Sequence, residues 1–502
     1  MRLGVVVLVA GGATLATEIA ASRLLAPYFG SSTIVWANVI GLTLVYLALG
    51  YWLGGRLVDR RPEPRLLGVI LVVAAIAIAV IPFVARPFLS ATVRGLNDAS
   101  AGVVVGSFVA ALALFAVPVT LLGMVSPFAV RLALHSVETA GTVAGRLYAL
   151  STFGSIFGTF LSALVLIPLV GTQRTMVGTA VILVLASALL LGRRWQLLTI
   201  ATAALLLVPP GAVKAQPGLL YDADSSYQYL DVRETPSGSR VLELNEGVVA
   251  NSVWYPGSVL TGGEWDMFLV VPPLLDRPPQ RVLVLGNAGG STARALTALY
   301  PGVHVDGVEI DEKVTDAAQR YLGLDSVPRL RVITADARAY LLTTGKRYDL
   351  ICVDAYRQPY VPFQLATKEF FELARAHLRP GGAIALNVSR VPGDRGLVRA
   401  IARTVRSAFG DAWSWDALRF NTLVFALDRP LPRSALVERI GRAAHPIQSL
   451  VPLFRRQVAA AGFRGDLLTD DRAPVEWIAD RAMLAYVARG GRFDEHYLPT
   501  EP

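Results

Sequence analysis

The sequence is poor in cysteine, histidine and charged residues. Its 502 residues include one cysteine and five histidines, and only 17% are Asp, Glu, Lys or Arg, whereas about 25% is usual for a soluble globular protein. A single cysteine excludes a disulfide scaffold, and histidines this scattered predict no metal site. Because 53% of the residues are hydrophobic, the composition also excludes a disordered chain.

The net charge of +9 raises the question of nucleic-acid binding. The arginines lie mostly in short loops between apolar runs or are spread through the second half of the chain. No dense basic run with interleaved aromatic residues occurs, so we expect no nucleic-acid partner.

Long apolar runs are confined to residues 1–212. A helix that crosses a hydrocarbon core of about 30 Å needs about 20 apolar residues. Six runs suit a spanning helix and a seventh is shorter, namely 3–25, 34–57, 67–85, 103–130, 147–170, 176–191 and the short 195–208. The sequence therefore predicts a multi-pass membrane domain of six or seven helices in a cell membrane, with the lipid bilayer as a partner.

Basic residues in short loops predict the orientation of this domain. Nine lie on one side: Arg2, Arg56, Arg60, Arg61, Arg65, Arg131, Arg146, Arg193 and Arg194. Five lie on the other: Arg23, Arg86, Arg94, Arg174 and Lys214. The bias places the amino terminus in the cytoplasm. If the seventh run crosses, the domain that follows lies outside the cytoplasm, which is the favoured interpretation; if that run only lies on the surface, the domain stays inside.

Two further features occur in the apolar half. Glu18 and Arg23 lie in or at the end of the first run, where ionisable groups are costly unless they are paired or face water. A structural ion pair, or an Arg23 that reaches the interface, is the simpler interpretation, and a functional site is the alternative. The spacings Gly50/Gly54 and Gly154/Gly158 indicate close helix packing.

After residue 216 the long apolar runs end and shorter strand and helix patterns begin. Residues 217–275 have short β-rich segments and predict a small β domain. Residues 276–430 alternate strand and helix patterns, which predicts a doubly wound, mostly parallel α/β sheet of the Rossmann type. Residues 431–502 read as a helical extension. Ligands of such a sheet bind at the carboxyl ends of its strands.

The first two strand ends carry residues typical of a nucleoside site. The first strand ends in Gly286-Asn287-Ala288-Gly289-Gly290 and leads into a helix, whose free N–H groups and glycine turn suit a close ligand. The second ends in Glu309 and Asp311, about 20 residues on, where a carboxylate can accept both hydroxyls of a ribose.

The next two strands also end in acidic residues. Asp336 suits the exocyclic amine of adenine, and Asp354 would lie beside the reacting centre. Helix capping is the alternative explanation, and it applies best to Asp336 and Asp311. Cys352, inside the apolar strand before Asp354, is expected in the core.

These motifs resemble the spermidine synthase family. VLVLGNAGG, VEID, ITADARAYL, YDLICVDAY and LRPGG follow one another in the family's order, and the resemblance covers roughly residues 221–388. It implies a β-hairpin layer before a class I methyltransferase-like sheet. The whole chain resembles those family members that have membrane spans ahead of the synthase domain. It also implies transfer of an aminopropyl group from decarboxylated S-adenosylmethionine to putrescine, with methylthioadenosine as product, no prosthetic group, and dimers or tetramers.

The resemblance also implies roles for individual residues. Glu309 corresponds to the ribose ligand, Asp336 with Ala337 to the adenine contact, and Asp354 to the carboxylate that holds and deprotonates the attacking amine. Asp266 is loosely matched to a histidine of the family and is a second candidate for substrate binding. The residues implied in binding the nucleoside are Gln228, Gly286, Gly290, Glu309, Asp311, Asp336 and Ala337.

Besides Asp266 in place of a histidine, the sequence departs from the family pattern at two further places. Gly289 stands where the glycine turn of the family has an aspartate, and Arg357-Gln358 stand where it has a second aspartate before Pro359. The nucleoside half of the site is thus intact and the polyamine half is not. The alternatives are an acceptor other than putrescine, a nucleoside-dependent methyltransferase, or a non-catalytic sensor or transport partner that binds a nucleoside or polyamine.

Overall fold

The computed structural model describes residues 2–29, 33–97, 102–192, 195–208, 217–245, 250–356, 360–462 and 464–491. The chain forms two compact units. The first contains Met1–Ala215 with Asp222–Tyr229, and the second contains Gln216–Tyr221 with Leu230–Pro502.

The first unit is helical. Its helices are α1 (Arg2–Phe29), α2 (Thr33–Arg60), α3 (Pro64–Asn97), α4 (Gly102–Gly123), α5 (Val125–Ala133), α6 (Ala140–Leu161), α7 (Ile167–Leu191) and α8 (Gln196–Ala204). A π-helical segment, Ser162–Leu166, joins α6 to α7.

Among the described residues, five helices are long and apolar enough to cross a membrane. The last of them runs from Ala140 to Leu191 over 52 residues, about 78 Å at 1.5 Å per residue. Its backbone leaves the helical conformation at Gly171, where φ is +82°. The fifth and sixth apolar runs of the sequence both lie in this stretch, which is long enough for two crossings.

The seventh apolar run, 195–208, forms only the nine-residue α8 and a three-residue 3-10 turn, Leu205–Leu207. Even together these extend about 18 Å at an α-helical rise, which is shorter than a hydrocarbon core of about 30 Å. Of the six or seven spans expected from the sequence, the seventh, 195–208, is therefore too short as a helix to cross the hydrocarbon core.

Both glycine pairs singled out in the sequence lie at helix contacts. A Cβ on Gly50 would lie 2.3 Å from the carbonyl oxygen of Thr120, and one on Gly54 would lie 2.7 Å from the Cα of Met124. In the same way, Gly154 and Gly158 face the α1 backbone, with distances of 1.9 Å and 2.2 Å from such a Cβ to the nearest carbonyl oxygen. The predicted close packing is confirmed.

Four antiparallel strands form a small sheet in the order β1 (Leu219–Asp224), β2 (Tyr229–Glu234), β3 (Arg240–Leu244) and β4 (Ala250–Trp254). The β2–β3 hairpin and β4 agree with the sequence pattern. The first strand, β1, was not among the strands expected from the sequence. Just before β1, the carbonyl of Gly218 accepts a hydrogen bond of 2.8 Å from the N–H of Glu234, the last residue of β2.

Eight strands form the main sheet of the second unit. They are β5 (Arg281–Leu285), β6 (His304–Glu309), β7 (Leu330–Thr334), β8 (Tyr348–Val353), β9 (Leu378–Ser389), β10 (Trp413–Trp415), β11 (Asn421–Leu427) and β12 (Ala459–Ala460). Their order is β12-β10-β11-β9-β8-β5-β6-β7. Strands β5 to β9 are parallel and β11 is antiparallel to β9, so the predicted methyltransferase-like α/β fold is confirmed.

Helices cover both faces of this sheet, which is why its central strands are continuously apolar. Leu283, Ile351 and Val353 belong to a core cluster on one face, and Val284 and Cys352 to the cluster on the other. The helices are α9 (Ser291–Leu299), α10 (Glu312–Tyr321), α11 (Ala337–Thr343), α12 (Lys368–Ala376) and α13 (Gly396–Phe409).

In residues 431–462 and 464–491, which the structure describes, there are three α-helices, α14 (Arg433–Ile440), α15 (Val451–Gln457) and α16 (Val475–Ala488), and also the edge strand β12. Phe454 of α15 packs edge-on against Trp415, with ring centroids 5.4 Å apart. The extension expected from the sequence is thus largely helical, but it also completes the sheet and its core.

We predict that Gly54→Ala destabilises the helical unit, whereas Gly55→Ala does not. Nothing lies within 4 Å of a Cβ placed on Gly55. Alanine at that position should therefore stabilise the helix by up to about 1 kcal/mol through its higher helix propensity. At Gly54 the α4–α5 backbone must move, at a cost of about 1–3 kcal/mol. Melting temperatures of the two full-length variants in detergent measure the difference, and equal values would contradict the packing described.

Candidate active site

Three strand ends meet at one edge of the main sheet. Strands β5, β6 and β8 are adjacent and parallel, so their carboxyl ends lie side by side. From β5 the chain continues to β6 and β7 on one side and then returns to β8 on the other side, which makes the boundary between β5 and β8 a topological switch point. This is the position where open α/β sheets bind ligands. The glycine turn follows β5, Glu309 ends β6 and Asp354 follows β8.

The backbone of the glycine turn contacts the backbone at the end of β8. Gly286 has a φ of +87°, and a Cβ on it would lie 2.6 Å from the carbonyl carbon of Asp354 and 2.5 Å from Ala355. Gly290, with a φ of +79°, directly precedes α9. Glycine is the residue that adopts this backbone without strain, so both glycines are needed for the shape of the turn.

Glu309 connects the turn to the end of β6. Its carboxylate accepts hydrogen bonds from the N–H groups of Ala288 (2.9 Å) and Asp311 (3.1 Å), and the residue is 7% exposed. Burial raises the pKa of Glu309 to about 7, although these backbone N–H groups oppose the shift. A carboxylate has about four lone-pair positions, so two accepted bonds leave capacity for the hydroxyls of a ligand.

Asp354 is held by an asparagine of the neighbouring strand. The Nδ2 of Asn387, in β9, donates to Oδ1 of Asp354 at 2.9 Å, and Asn421 of β11 donates to the Oδ1 of Asn387 at 3.0 Å. Burial raises the pKa of Asp354 to about 7, and the Asn387 hydrogen bond opposes the shift. The carboxyl is thus oriented and has a pKa near neutrality, as a proton acceptor requires.

A second acidic residue interacts with Asp354, and the sequence analysis did not select it. Glu264 begins a 3-10 segment, Glu264–Val270, and is 6% exposed. Burial, and then the nearby Asp354 carboxylate, raise the pKa of Glu264 to about 8. Within the described ranges, no basic side chain lowers the pKa of either carboxyl group. In the motif Glu264-Trp265-Asp266 the resemblance to the family points to Asp266, and no local signal marks Glu264.

Asp266 is occupied by its own loop. Its carboxylate accepts hydrogen bonds from the N–H and hydroxyl of Thr261 and, at 2.7 Å, from the N–H of Gly262. Burial raises the pKa of Asp266, and these bonds oppose the shift. This geometry closes the loop before the 3-10 segment. Substrate binding by Asp266 stays a prediction, and Glu264 is the acid of this segment that interacts with Asp354.

Asp311 and Asp336 both cap helices. Asp311 accepts a hydrogen bond from the N–H of Lys313 at 3.1 Å, at the start of α10. Asp336 accepts two bonds of 2.9 Å at the start of α11, and both reach its Oδ1. Ala337, 8% exposed, is the first residue of that helix. The structural alternative named for these two aspartates is therefore realised, and their contacts with a nucleoside stay predictions.

Two other expectations concern Gln228 and the pair Arg357-Gln358. Gln228 lies in the turn between β1 and β2, where its carbonyl accepts a bond of 2.8 Å from the Ser225 N–H. It belongs to the first compact unit, and its contact with the nucleoside stays a prediction. Arg357 and Gln358, which replace an aspartate of the family, lie outside the described residues.

The absence of the family aspartate at Gly289 has a structural explanation. A Cβ at this position would lie 2.6 Å from the Cβ of Ser252, in β4, and 2.7 Å from Leu322. The Gly289 N–H donates to the hydroxyl of Ser252 at 2.8 Å. The small sheet thus occupies the space that an aspartate side chain would need.

Asn287 is a further polar residue of the turn that the sequence analysis did not select. It is 4% exposed, and in the part of the chain that the structure describes its side-chain oxygen and nitrogen have no hydrogen-bond partner. Leaving such groups unpaired costs about 1–3 kcal/mol. A polar group placed in this way, beside Gly307, is a candidate for contact with a bound molecule.

The chain is similar to known aminopropyltransferases. Residues 265–415 match the family model of the spermine/spermidine synthase domain. A probable polyamine aminopropyl transferase of Bifidobacterium longum is 32% identical over 54% of this chain and 65% of its own length. A polyamine aminopropyltransferase of Vibrio vulnificus is 35% identical over 34% of this chain and 58% of its own. The chain thus spans less than two thirds of each relative.

Solved structures include similar proteins. The crystal structure of a probable spermidine synthase from Corynebacterium glutamicum has 16% sequence identity and a TM-score of 0.40, and the match covers 54% of this chain and 94% of that one. The match to the spermine/spermidine synthase domain lies in the carboxy-terminal part of the chain, where the motifs in the sequence also lie.

We predict that restoring the aspartate, as Gly289→Asp, destabilises the second unit. The new side chain would collide with Ser252 and Leu322, at a cost of about 1–3 kcal/mol in the free energy of unfolding. Gly302→Asp is the control, because nothing lies within 4 Å of a Cβ there. Chemical denaturation followed by tryptophan fluorescence compares the two, and a fully stable Gly289→Asp would show that β4 does not close this position.

Proposed function

We propose that this chain, whose residues 265–415 carry a spermine/spermidine synthase domain, is a membrane-anchored aminopropyltransferase. It transfers the aminopropyl group of decarboxylated S-adenosylmethionine to putrescine or another amine and releases methylthioadenosine. The main support is the carboxyl of Asp354, oriented by Asn387 and with a pKa of about 7, at the same sheet edge as the glycine turn and Glu309.

In the proposed reaction Asp354 is the proton acceptor. The lone pair of a neutral amine attacks the methylene carbon next to the sulfonium, the new C–N bond forms, and the C–S bond breaks with its electron pair passing to sulfur. The amine nitrogen then carries a positive charge and loses a proton to Asp354. The thioether leaves as a neutral group, so no acid is required. Orientation of the amine by Asp354 adds to the rate by positioning the reacting atoms.

The nucleoside is proposed to lie over the glycine turn. Glu309 would accept hydrogen bonds from the ribose hydroxyls, and Asp336 with Ala337 would contact the adenine. Hydrogen bonds to a charged group contribute about 1.5–3 kcal/mol each, which makes Glu309 the main determinant of nucleoside affinity. The remaining proposed contacts are Gln228, Gly286, Gly290 and Asp311.

Glu264 is proposed to bind the acceptor amine together with Asp354. Two buried carboxylates repel each other, and that repulsion is relieved when a cationic ligand enters between or beside them. An ammonium group supplies this charge, whereas a neutral methyl acceptor does not. This supports a cationic acceptor over the methyltransferase alternative. It also gives the site a second acid in place of the family aspartate missing near Pro359.

The central prediction concerns Asp354→Asn in the full-length protein. Loss of the proton acceptor should lower kcat by about 10²–10⁴-fold, while methylthioadenosine still binds. In the unmodified protein kcat/KM should fall as the pH drops below about 7, because this parameter reports the ligand-free protein, in which a protonated Asp354 cannot accept the proton. Product formation from decarboxylated S-adenosylmethionine and putrescine measures both effects.

Glu438→Gln, an exposed position paired with Arg442, is the matched control and should leave kcat unchanged. An active Asp354→Asn would overturn the assignment of the base. If the unmodified protein binds methylthioadenosine, loses that binding in Glu309→Gln and yet turns over no amine, a sensor or another nucleoside-dependent transferase is the better interpretation.

We further predict that Glu264→Gln impairs diamines more than monoamines. Loss of one charge-assisted contact should raise KM for putrescine about ten- to hundredfold, with a smaller effect on a propyl monoamine that lacks the second ammonium. Comparing the two acceptors within each variant separates amine recognition from a general loss of fold. Equal losses for both acceptors would mean that Glu264 does not bind the distal ammonium.

We propose that the synthase domain faces the cytoplasm, where its substrates are made. The short α8 supports this, because the stretch Ala140–Leu191, counted as two crossings, then makes six crossings in all. An even number returns the chain to the side of its amino terminus. The distribution of basic residues in the short loops places the domain on the opposite side only if residues 195–208 cross the membrane. A reporter fused after Pro502 should therefore show cytoplasmic activity, and periplasmic or extracellular activity would contradict the proposal.

A further inference from the structure

A row of three polar side chains crosses the main sheet beside the proposed proton acceptor. It runs from Asn421, the first residue of β11, through Asn387 of β9 to Asp354 after β8, and these strands are neighbours in the order β11-β9-β8. Side chains two positions apart in a strand lie on the same face. The residues two positions from the members of the row belong to one core cluster, namely Leu423, Ala385 and Cys352. The three polar side chains therefore share one face of the sheet.

Both hydrogen bonds in this row are donated in the direction of Asp354. Nδ2 of Asn421 donates to Oδ1 of Asn387 at 3.0 Å, and Nδ2 of Asn387 donates to Oδ1 of Asp354 at 2.9 Å. An amide side chain accepts at its oxygen and donates at its nitrogen. Because Asn421 occupies the oxygen of Asn387, the amino end of Asn387 faces the carboxyl group.

The backbone of Asn387 is held by a separate contact. The hydroxyl of Tyr356 donates to the Asn387 carbonyl at 2.9 Å and accepts a bond of 2.8 Å from the N–H of Ser389. With the main chain fixed and the residue 2% exposed, the change open to its side chain is a half-turn that exchanges the amide oxygen and nitrogen. Asn421 opposes this half-turn, because two amino groups would then face each other.

The direction of the Asn387 amide decides which form of Asp354 is stabilised. An amino group only donates and favours the ionised carboxylate, whereas an amide oxygen only accepts and favours the protonated carboxyl. A half-turn of Asn387 would therefore change a contact that opposes protonation into one that supports it. The bond from Asn387 is made to Oδ1, which leaves Oδ2 for the amine of the proposed reaction.

Three titratable side chains interact electrostatically with Asp354 in the part of the chain that the structure describes. They are Cys352 of β8, Tyr356 and Glu264 of the 3-10 segment. Burial raises the pKa of Cys352 and that of Tyr356 well above their ordinary values, so both are neutral near pH 7. Glu264, with a pKa of about 8, titrates in the same range as Asp354. Strands β9 and β11 contribute two uncharged amides to the row.

We propose that Asn421 is a positioning residue for Asp354: by donating to the oxygen of Asn387, it keeps the amino group of Asn387 on the Asp354 carboxylate. This inference rests on the proposed function, in which Asp354 accepts the proton of the amine. Asn421 acts through a second residue and is assigned no contact with the substrate. It disfavours the protonated form of Asp354, because that form is best stabilised when the Asn387 amide has turned round.

The test measures the pH at which half of Asp354 is protonated in the full-length protein in detergent. Asn421→Leu, which is similar in size and has no donor, should raise this midpoint by roughly 0.5–1 pH unit, the equivalent of one hydrogen bond. The acidic limb of kcat/KM should move to higher pH by the same amount. The infrared band of the protonated carboxyl, identified by its loss in Asp354→Asn, reports the midpoint without turnover. Glu264→Gln in the background of each variant removes the other acid that titrates in this range.

Two controls separate positioning from a structural role. Thr422→Val removes a different side-chain hydrogen bond from the same strand, the bond of 2.7 Å from Thr422 to Asp416, and should leave the midpoint unchanged. In an Asn387→Leu background, Asn421→Leu should add no further shift, because the residue through which it acts is then absent.

Three results would overturn the proposal: an unchanged midpoint in Asn421→Leu, an equal shift in Thr422→Val, or a further shift in the Asn387→Leu background. If Asn421→Leu does not fold, as judged by circular dichroism, Asn421→Ala lacks the same donor and is measured instead, and loss of folding in both would make the role of Asn421 structural. If the unmodified protein turns over no amine, the proposed function fails, while the infrared midpoints still decide whether Asn421 controls the protonation of Asp354.

Discussion

The close approach of the glycine turn to the end of β8 is the constraint on which the site depends. Gly286 leaves no room for a Cβ beside Asp354 and Ala355, so two strand ends meet at backbone distance. Glu309 then fixes the turn through two N–H groups. Because parallel strands carry their carboxyl ends to one edge, this contact brings Glu309 and Asp354, for which we propose nucleoside binding and proton acceptance, within reach of one small molecule.

Burial gives the site its chemical character, and among the described residues no basic side chain offsets it. Removing carboxylates from water raises their pKa, and this is the leading cause of the shifts of Glu264, Glu309 and Asp354. Folding therefore leaves three acids that bind protons at higher pH than free acids do. Their stabilising protonation is complete below about pH 4 and is lost as the pH rises through about 7 to 8. The cationic acceptor that we propose would relieve the same repulsion at neutral pH.

The sequence allowed the main sheet to be predicted closely, because apolar runs bounded by glycine or acidic residues are local signals. Strands β5 and β8 end at Leu285 and Val353, directly before Gly286 and Asp354, as expected. Glu264 could not be found in this way, since its burial depends on the packing of a 3-10 segment against distant strands. Asp266, its neighbour in sequence, closes a loop instead. The break at Gly171 was equally hidden, because a single backbone angle has no hydrophobic pattern.

Strand β4 is bonded to the turn at more than one point. Ser252 accepts from Gly289, and Ser291 both donates to and accepts from the backbone of Val253. Local opening of either segment must break these bonds together, so the amides of Val253 and Gly289 belong to one cooperative unit in hydrogen exchange. A nucleoside that rigidifies the turn would in consequence slow exchange in the small sheet, far along the chain from the atoms it contacts.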